Sequence, residues 1–316
     1  MTASLVEAYD LLLVDLDGTV YAGPVAIPGA AGALQGLPVT YVTNNASRAP
    51  SDVAQHLRDL GFAAPDDSVV TSAQAGARLL ASIVPAGTPT LVVGAPALRA
   101  EVINRGLVPV ETAEEARAVV QGHNPETGWA RLSEAALAIR AGATWVATNT
   151  DATLPTERGL MVGNGSMVAA VANATGAVPQ VAGKPGTPIL ADAVAEAGAA
   201  APLVVGDRLD TDIEGGNALG ADTYLVLTGV NDVADVIAAP DIHQPTYIAD
   251  TLAGLHAPRE RSLPGPRPGW SAVVDGDRLI VTGASDADPA DAKYVAVAAA
   301  RELPADRRAG LELVVR

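Results

Sequence analysis

The chain has 316 residues, 49% hydrophobic and 18% charged, with a formal net charge of -16; this excludes a largely disordered polymer and leaves room for two domains and a small third. The surplus of negative charge argues against nucleic acid as a partner, and an anionic substrate requires a local cluster of cations or a metal to offset it. With no cysteine, disulfides and thiolate metal sites are excluded, so any metal is held by oxygen or imidazole, and oxygen ligands point to magnesium. No basic region precedes the first apolar run, Glu7 and Asp10 interrupt it, and no apolar stretch reaches membrane-spanning length, so a cytoplasmic protein without membrane insertion is expected. His56, His123, His243 and His256 show no ligand spacing.

In chain order, Leu11-Leu12-Leu13-Val14 is an apolar run that ends in Asp15-Leu16-Asp17-Gly18-Thr19. It is too short for a full helix and reads as a buried parallel strand whose tip carries chemistry, where open α/β sheets keep their ligands. Two acids one residue apart project to the same side of an extended chain, Gly18 permits a sharp turn, and Thr19 can tie that turn down. Read alone, the same residues also describe a strand end followed by an acidic turn. Gly23, Pro24, Pro28 and Gly29 make a turn-rich flap, and a β-branched run then ends in Thr43-Asn44-Asn45 as a second strand tip. Such polar residues also populate ordinary strand-to-helix loops. Ser51-Asp52 reads as the N-cap of a helix through Leu60 closed by Gly61, and Val69-Val70-Thr71-Ser72 with an alanine-rich helix follows.

A Pro/Gly boundary at residues 85–89 opens a second α/β unit. Its expected strands are Leu91-Val92-Val93, Leu107-Val108-Pro109-Val110 and Thr144-Trp145-Val146-Ala147-Thr148, with helices over residues 97–104, 112–118, 132–141 and 166–174. Polar loops at Asn149-Thr150-Asp151 and Gly163-Asn164-Gly165-Ser166 lie at a strand end and a helix start. Asn149, Asp151 and Arg158 are candidates to contact a leaving group, although Asp151 as a turn former and Ser166 as an N-cap fit equally well. His123, Asn124 and Trp129 fall in one loop.

Gly183-Lys184-Pro185 is not a Walker A loop, because no glycine stands five residues before Gly183 and Pro185 occupies the Ser/Thr position. Lys184 offers either a point cation for a phosphoryl group or a surface lysine beside a helix-starting proline. Leu203-Val204-Val205 runs as a strand into Gly206-Asp207, with Asp212 about a turn later; the acids could also simply favour a helix N-terminus. Strands over residues 221–227 and 247–250 end this part. The proline- and glycine-rich residues 258–269 read as a non-helical linker. A hairpin turning at Asp275-Gly276, a helix from Asp288-Pro289 through about Glu302 and a last strand over residues 311–315 follow. This piece of fewer than 50 residues is marginal alone, so it is expected to pack on the core or on a second copy of the chain, which leaves a homo-oligomer open.

Taken together, Asp15-Leu16-Asp17-Gly18-Thr19, Thr43-Asn44-Asn45, Lys184 and Gly206-Asp207 with Asp212 resemble the four ordered motifs of the haloacid dehalogenase (HAD) superfamily. The loops at residues 147–151 and 163–166 resemble the cap signature of its NagD-like branch, and the resemblance covers residues 8–257. It implies an α/β fold: a doubly wound parallel-sheet core from residues 1–85 and 180–257, and an inserted α/β cap at 86–179. A linker at 258–269 and a small C-terminal α+β segment at 270–316 complete the plan. It also implies a Mg²⁺-dependent phosphomonoesterase acting on a small phosphorylated metabolite. Asp15 would be the nucleophile that forms an aspartyl-phosphate, and Asp17 the acid and then the base; an acid at that second position separates the phosphatases from the dehalogenases. Gly18, Thr43, Asn44, Asn45 and Lys184 would hold the phosphoryl group. Asp15, Asp207 and the main-chain carbonyl of Asp17 would bind the cation, with Asp212 in the outer coordination shell. The C-terminal segment is similar to a cut-down GNAT acyltransferase unit carried by some glycerol-3-phosphate phosphatases of this branch. It shows no glycine-rich acyl-CoA loop, so a docking element without chemistry is favoured over acetyl transfer. The domain plan implies glycerol 3-phosphate as substrate, with phosphoglycolate or another small ester second. A catalytically silent phosphometabolite-binding or interaction protein is the reading from another class, and it leaves Asp17 without a purpose.

Overall fold

The computed structural model describes residues 3–156 and 158–316. The chain divides into two compact units, residues 1–39 with 197–316, and residues 40–196.

The first unit is built on parallel strands Leu11–Val14, Pro202–Gly206, Asp222–Val226 and Tyr247–Ala249, each paired with the next along that order. All four residues of Leu11–Val14 are buried, the pattern of a strand covered on both faces rather than one alternating between core and water. Tyr21–Ala22 and Val25–Ala26 pair as a small antiparallel hairpin in the turn-rich stretch.

The C-terminal segment makes a three-stranded sheet. Trp270–Asp275 and Arg278–Gly283 pair antiparallel, leaving Gly276 and Asp277 as the loop, and Glu312–Val315 runs parallel to the second strand. The helix is shorter than expected: Asp288 caps a 3-10 turn at Pro289–Asp291, and the α-helix proper is Ala292–Arg301. This segment has no core of its own. Leu279, Val281, Val295, Ala296, Val297 and Ala300 join Leu209, Ile213, Leu225, Val236, Ile237 and Ile248 in one buried apolar cluster. The linker, expected to be non-helical, holds a single 3-10 turn at Arg259–Arg261.

The second unit contains a five-stranded all-parallel sheet in the order Gln180–Val181, Thr144–Ala147, Ala118–Gln121, Pro89–Val93, Val108–Val110. Leu91, Val93, Val119, Trp145 and Ala147, at alternate positions, pack with Ala135, Ala138 and Ile139 of the helix Trp129–Arg140 and with Val168 and Val171 of Asn164–Thr175. The helix Ser72–Ile83 starts with a reciprocal cap: Gln74 N donates to Thr71 Oγ1 at 3.3 Å and Thr71 N donates to Gln74 Oε1 at 2.9 Å. The strand Val39–Thr43 pairs in parallel with Val69–Thr71.

Two local expectations are corrected and one element is added. Residues 112–118 are not a helix; the chain turns there and Ala118–Gln121, buried at all four positions, is a strand inside the sheet. Its four residues follow Glu114, Glu115 and Arg117, a charged run that imitates a helix start, and only the strands on either side identify it. The helix expected to be capped at Ser51 spans Pro50–Asp59 with Ala49 before it, because proline is already set for the first helical position, where its missing N–H costs nothing. The hairpin Thr153–Thr156 with Gly159–Val162 was not foreseen; its second strand is exposed at all four residues and so lacks the alternation that marks a half-buried strand.

If the C-terminal segment shares its core with the first unit, one truncation inside that core must be felt by the whole unit. Leu279→Ala is expected to destabilise it by about 2–5 kcal/mol, read as a lowered urea midpoint at unchanged slope.

Candidate active site

In the first unit the strand Leu11–Val14 delivers Asp15 at its end, where Asp15 N–H still donates to Val205 O at 2.9 Å. Residues 16–21 then fold back sharply: Val20 N donates to Leu16 O at 2.9 Å and Gly18 N to Tyr21 O at 2.8 Å. Gly18 has φ +84, and a Cβ there would lie 2.4 Å from Asp207 Oδ2, so both backbone conformation and space exclude a side chain. The adjacent strand Pro202–Gly206 delivers Asp207, which is fully buried.

Asp15, Asp207 and Asp212 each bring a carboxylate oxygen within 4.8 Å of the others. Asp207 and Asp212 are buried, Asp15 is half-buried and Asp17 is exposed. Asp212 reaches the group because Leu209–Ile213 is a π-helical turn, with Asp212 N and Ile213 N both donating to Arg208 O at 3.1 Å. The turn folds its carboxylate back so that Arg208 N donates to Asp212 Oδ2 at 3.2 Å. This close return depends on Gly206, since a Cβ there would lie 2.2 Å from Asp212 Cγ. Three carboxylates this close and this buried repel one another, and a divalent cation with oxygen ligands is the group that fits them. Among their donors, Val230 N donates to Asp207 Oδ2 at 2.7 Å, and Thr19 Oγ1 lies 3.5 Å from Asp207 Oδ1.

Sequence reasoning gave Thr19 to its own turn, whereas its hydroxyl faces Asp207. It missed the support from Thr228, whose Oγ1 donates to Gly18 O at 2.7 Å, and from Asn231, whose Oδ1 accepts from Leu209 N at 2.9 Å. The Thr228-to-Asn231 run carried only a turn signal.

In the second unit Lys184, Asn149 and Asp151 converge on Asn44. Its Nδ2 donates to Asp151 Oδ1 and Oδ2 at 3.2 Å and to Lys184 O at 2.9 Å, and its Oδ1 accepts from Lys184 N at 2.8 Å. The main-chain carbonyl of Asn44 accepts from Asn149 Nδ2 at 2.6 Å and Ser72 Oγ at 2.5 Å. Asn149 O in turn accepts from Asn164 Nδ2 at 2.7 Å. The Asn44 and Asn149 side chains therefore hold loops together, while Thr43 Oγ1 accepts from Asn45 N at 3.1 Å and Asn45 Oδ1 ties down Ser47.

Lys184 is 2% exposed and its Nζ donates to Val42 O at 3.1 Å. The glycines at 163 and 165 have a steric reason: a Cβ at either would fall within 2.2 Å of the carbonyl oxygen of Asp151 or Thr150. Ser166 is not the N-cap, which is Gly163; its hydroxyl donates to Ala152 O. Arg158 is exposed at the tip of the hairpin, with its N–H on Thr156 Oγ1. Burial lowers the His123 pKa, and Trp129 is the exposed first residue of its helix rather than part of the loop.

Parallel strands that end in aspartates, grouped closely enough to share one cation, place the ligand site of an α/β protein at its strand tips. Comparison with known proteins makes the class specific. Residues 12–108 match the family model described as haloacid dehalogenase-like hydrolase, and residues 181–255 match one described as HAD-hydrolase-like. A D-glycerol 3-phosphate phosphatase of Mycobacterium tuberculosis is 50% identical over 288 residues, spanning 90% of this chain and 82% of its own length. An acid sugar phosphatase of Staphylococcus aureus is 37% identical over 237 residues, 73% of this chain and 91% of its own. Among solved structures, a glycerol phosphate phosphatase of Mycobacterium tuberculosis in complex with magnesium superimposes with a TM-score of 0.93 at 46% identity, covering 100% of this chain and 95% of that one. The chain belongs to the haloacid dehalogenase-like hydrolases.

The crowding at Gly206 yields a test. Gly206→Ala is expected to weaken Mg²⁺ binding by about 10–100-fold, the usual cost of disturbing groups that orient metal ligands. Gly128→Ala, where a Cβ meets open space, should leave it unchanged; titration calorimetry measures both.

Proposed function

We propose that this chain is a Mg²⁺-dependent phosphomonoesterase whose preferred substrate is glycerol 3-phosphate. The observation that carries the reading is the group formed by Asp15, Asp207 and Asp212, an all-oxygen set suited to magnesium and repulsive without a cation. Asp15 and Asp207, with the main-chain carbonyl of Asp17, would hold the ion and Asp212 would support it. When bound, it offsets charge on the carboxylates and on the phosphoryl oxygens.

The chemistry assigned to the protein's own groups runs in two displacements. A carboxylate oxygen of Asp15 attacks phosphorus, an aspartyl-phosphate bond forms, and the ester P–O bond breaks as Asp17 protonates the departing alkoxide. Asp17, now a carboxylate, takes a proton from water; that water attacks phosphorus, releases inorganic phosphate and restores Asp15. The exposure of Asp17 beside the half-buried Asp15 suits this division, since the acid must meet both leaving group and solvent. Thr43 and Lys184, with main-chain groups of Gly18, Asn44 and Asn45, bind the phosphoryl oxygens, and Lys184 supplies positive charge as the phosphorus becomes five-coordinate.

Asn149 and Asp151 act here by positioning: their bonds to Asn44 fix the loop that follows Thr43, and Asn44 in turn clamps the loop that carries Lys184. Arg158 remains the candidate for a leaving-group contact. Residues 86–179 serve as the cap, with an apolar core drawn from that stretch alone. No helix among the described residues is long and apolar enough to cross a membrane, and we assign the reaction to the cytoplasm.

Glycerol 3-phosphate is preferred over phosphoglycolate because the relative named for it matches 90% of this chain, whereas the sugar phosphatase matches 73%. In a phosphate-release assay, Asp15→Asn is expected to lower kcat by about 10⁴-fold or more, the scale for loss of a nucleophile. Chelation with EDTA should stop release and added Mg²⁺ restore it; turnover unaffected by either change would refute the mechanism. Across a panel of small phosphomonoesters, glycerol 3-phosphate should show the highest kcat/KM. A rank no better than p-nitrophenyl phosphate would remove it as the physiological substrate.

A further inference from the structure

The C-terminal segment brings two arginines to the surface loop 241–246 of the first unit. A groove of about 310 Å³ is lined there by Asp241, Gln244, Pro245, Thr246, Arg301 and Arg308, room for roughly ten waters at ~30 Å³ each. Arg301 stands at the end of the helix Ala292–Arg301, and Arg308 at the end of the short helix Ala305–Arg308.

Both guanidinium groups are fixed by the protein. Arg301 Nε donates to Gln244 Oε1 at 2.9 Å and its Nη2 to Pro245 O at 2.5 Å. Gln244 is held in turn by Nε2 bonds to Val236 O at 2.8 Å and Ala239 O at 3.0 Å. Arg308 is 2% exposed, donates to Leu303 O at 3.3 Å and pairs with Asp241.

The charges are not balanced. The carboxylate that faces the buried Arg308 belongs to a side chain 88% exposed, where water and salt screen it. Arg308 Nε–H is buried and has no hydrogen-bond partner among the described residues. An arginine donor left unpaired in the interior is costly, and such a group usually marks a place where water or an ion belongs. Burial, and after it the neighbouring charge of Arg308, lowers the Arg301 pKa, so the two cations strain against each other. In a chain of net charge -16, two partly desolvated arginines sharing one groove are a local reversal of sign.

We propose that this groove is a binding site for a small oxyanion, a phosphate or carboxylate group bridging Arg301 and Arg308. Guanidinium forks match such groups in shape and charge, and the buried Nε–H gains the acceptor it lacks. The anion ties the last two helices of the C-terminal segment to the loop between the helix Val233–Ala238 and the strand Tyr247–Ala249, which gives that segment a ligand-binding role.

The test uses the full chain in EDTA with inorganic phosphate or malonate, at ionic strength matched with sodium chloride. At least one anion should raise Tm saturably by about 2–4 °C and shift the Arg308 Nε–H resonance in a proton–nitrogen spectrum. A response to phosphate alone identifies a phosphoryl group, one to malonate alone a carboxylate, and one to both the shared chemistry. Arg301→Gln should weaken the response about tenfold or more while leaving kcat for ester hydrolysis unchanged. Arg308→Lys keeps the charge but loses the fork and should weaken it too, so one poorly folding variant leaves the other informative. An Arg308 signal that does not move by about 10 mM of either anion overturns the proposal, as does a Tm response equal in wild type and Arg301→Gln.

Discussion

The mutual repulsion of Asp15, Asp207 and Asp212 is the constraint that the first unit is built to withstand. Folding brings three carboxylates to within 4.8 Å, two of them buried, which water would never allow without compensation. Amide donors from Arg208 and Val230 and a hydroxyl from Thr19 face the acids, and glycines stand where any side chain would collide with them. An all-oxygen set of this kind is suited to a divalent cation.

The second unit has to hold in place a lysine that is nearly buried. The Lys184 backbone is clamped through both its N–H and its C=O by the Asn44 amide, which fixes the root of the side chain, and Val42 O accepts from its Nζ. Asn44 is the hub, because Asp151 and Asn149 meet it from the polar loop and Ser72 meets it from the neighbouring helix. Gly183 permits the clamp: a Cβ there would sit 2.6 Å from Asn44 Oδ1.

Much of this was legible in the residues. An apolar run ending in an acid identifies a buried strand and a site at once, which is why Asp15 and Asp207 stood out, and the helix Asn164–Thr175 and the C-terminal hairpin followed from periodicity and turn chemistry. What stayed hidden depends on partners remote in the chain. Asn44 and Lys184 are 140 residues apart, so nothing local to Thr43-Asn44-Asn45 reveals that the amide grips a loop rather than a ligand. The place of Asp212 among the acids depends on a π-helical turn, for which no local composition rule exists. Ala118–Gln121 is a strand because its neighbours make it one.

The register Leu11 to Pro202 and Val14 to Val205 also sets an order of events during synthesis. At about 5–20 residues per second, the ribosome needs roughly 10–40 s after releasing the first strand to supply the one that pairs along that edge. Over that interval the nascent chain holds Asp15 but neither of its acidic companions, so the cation site does not exist until the chain is two-thirds made. Closing so long a loop is slow, and an unpaired edge of Leu11-Leu12-Leu13-Val14 invites strangers; early protection of that edge is a demand this topology places on the cell.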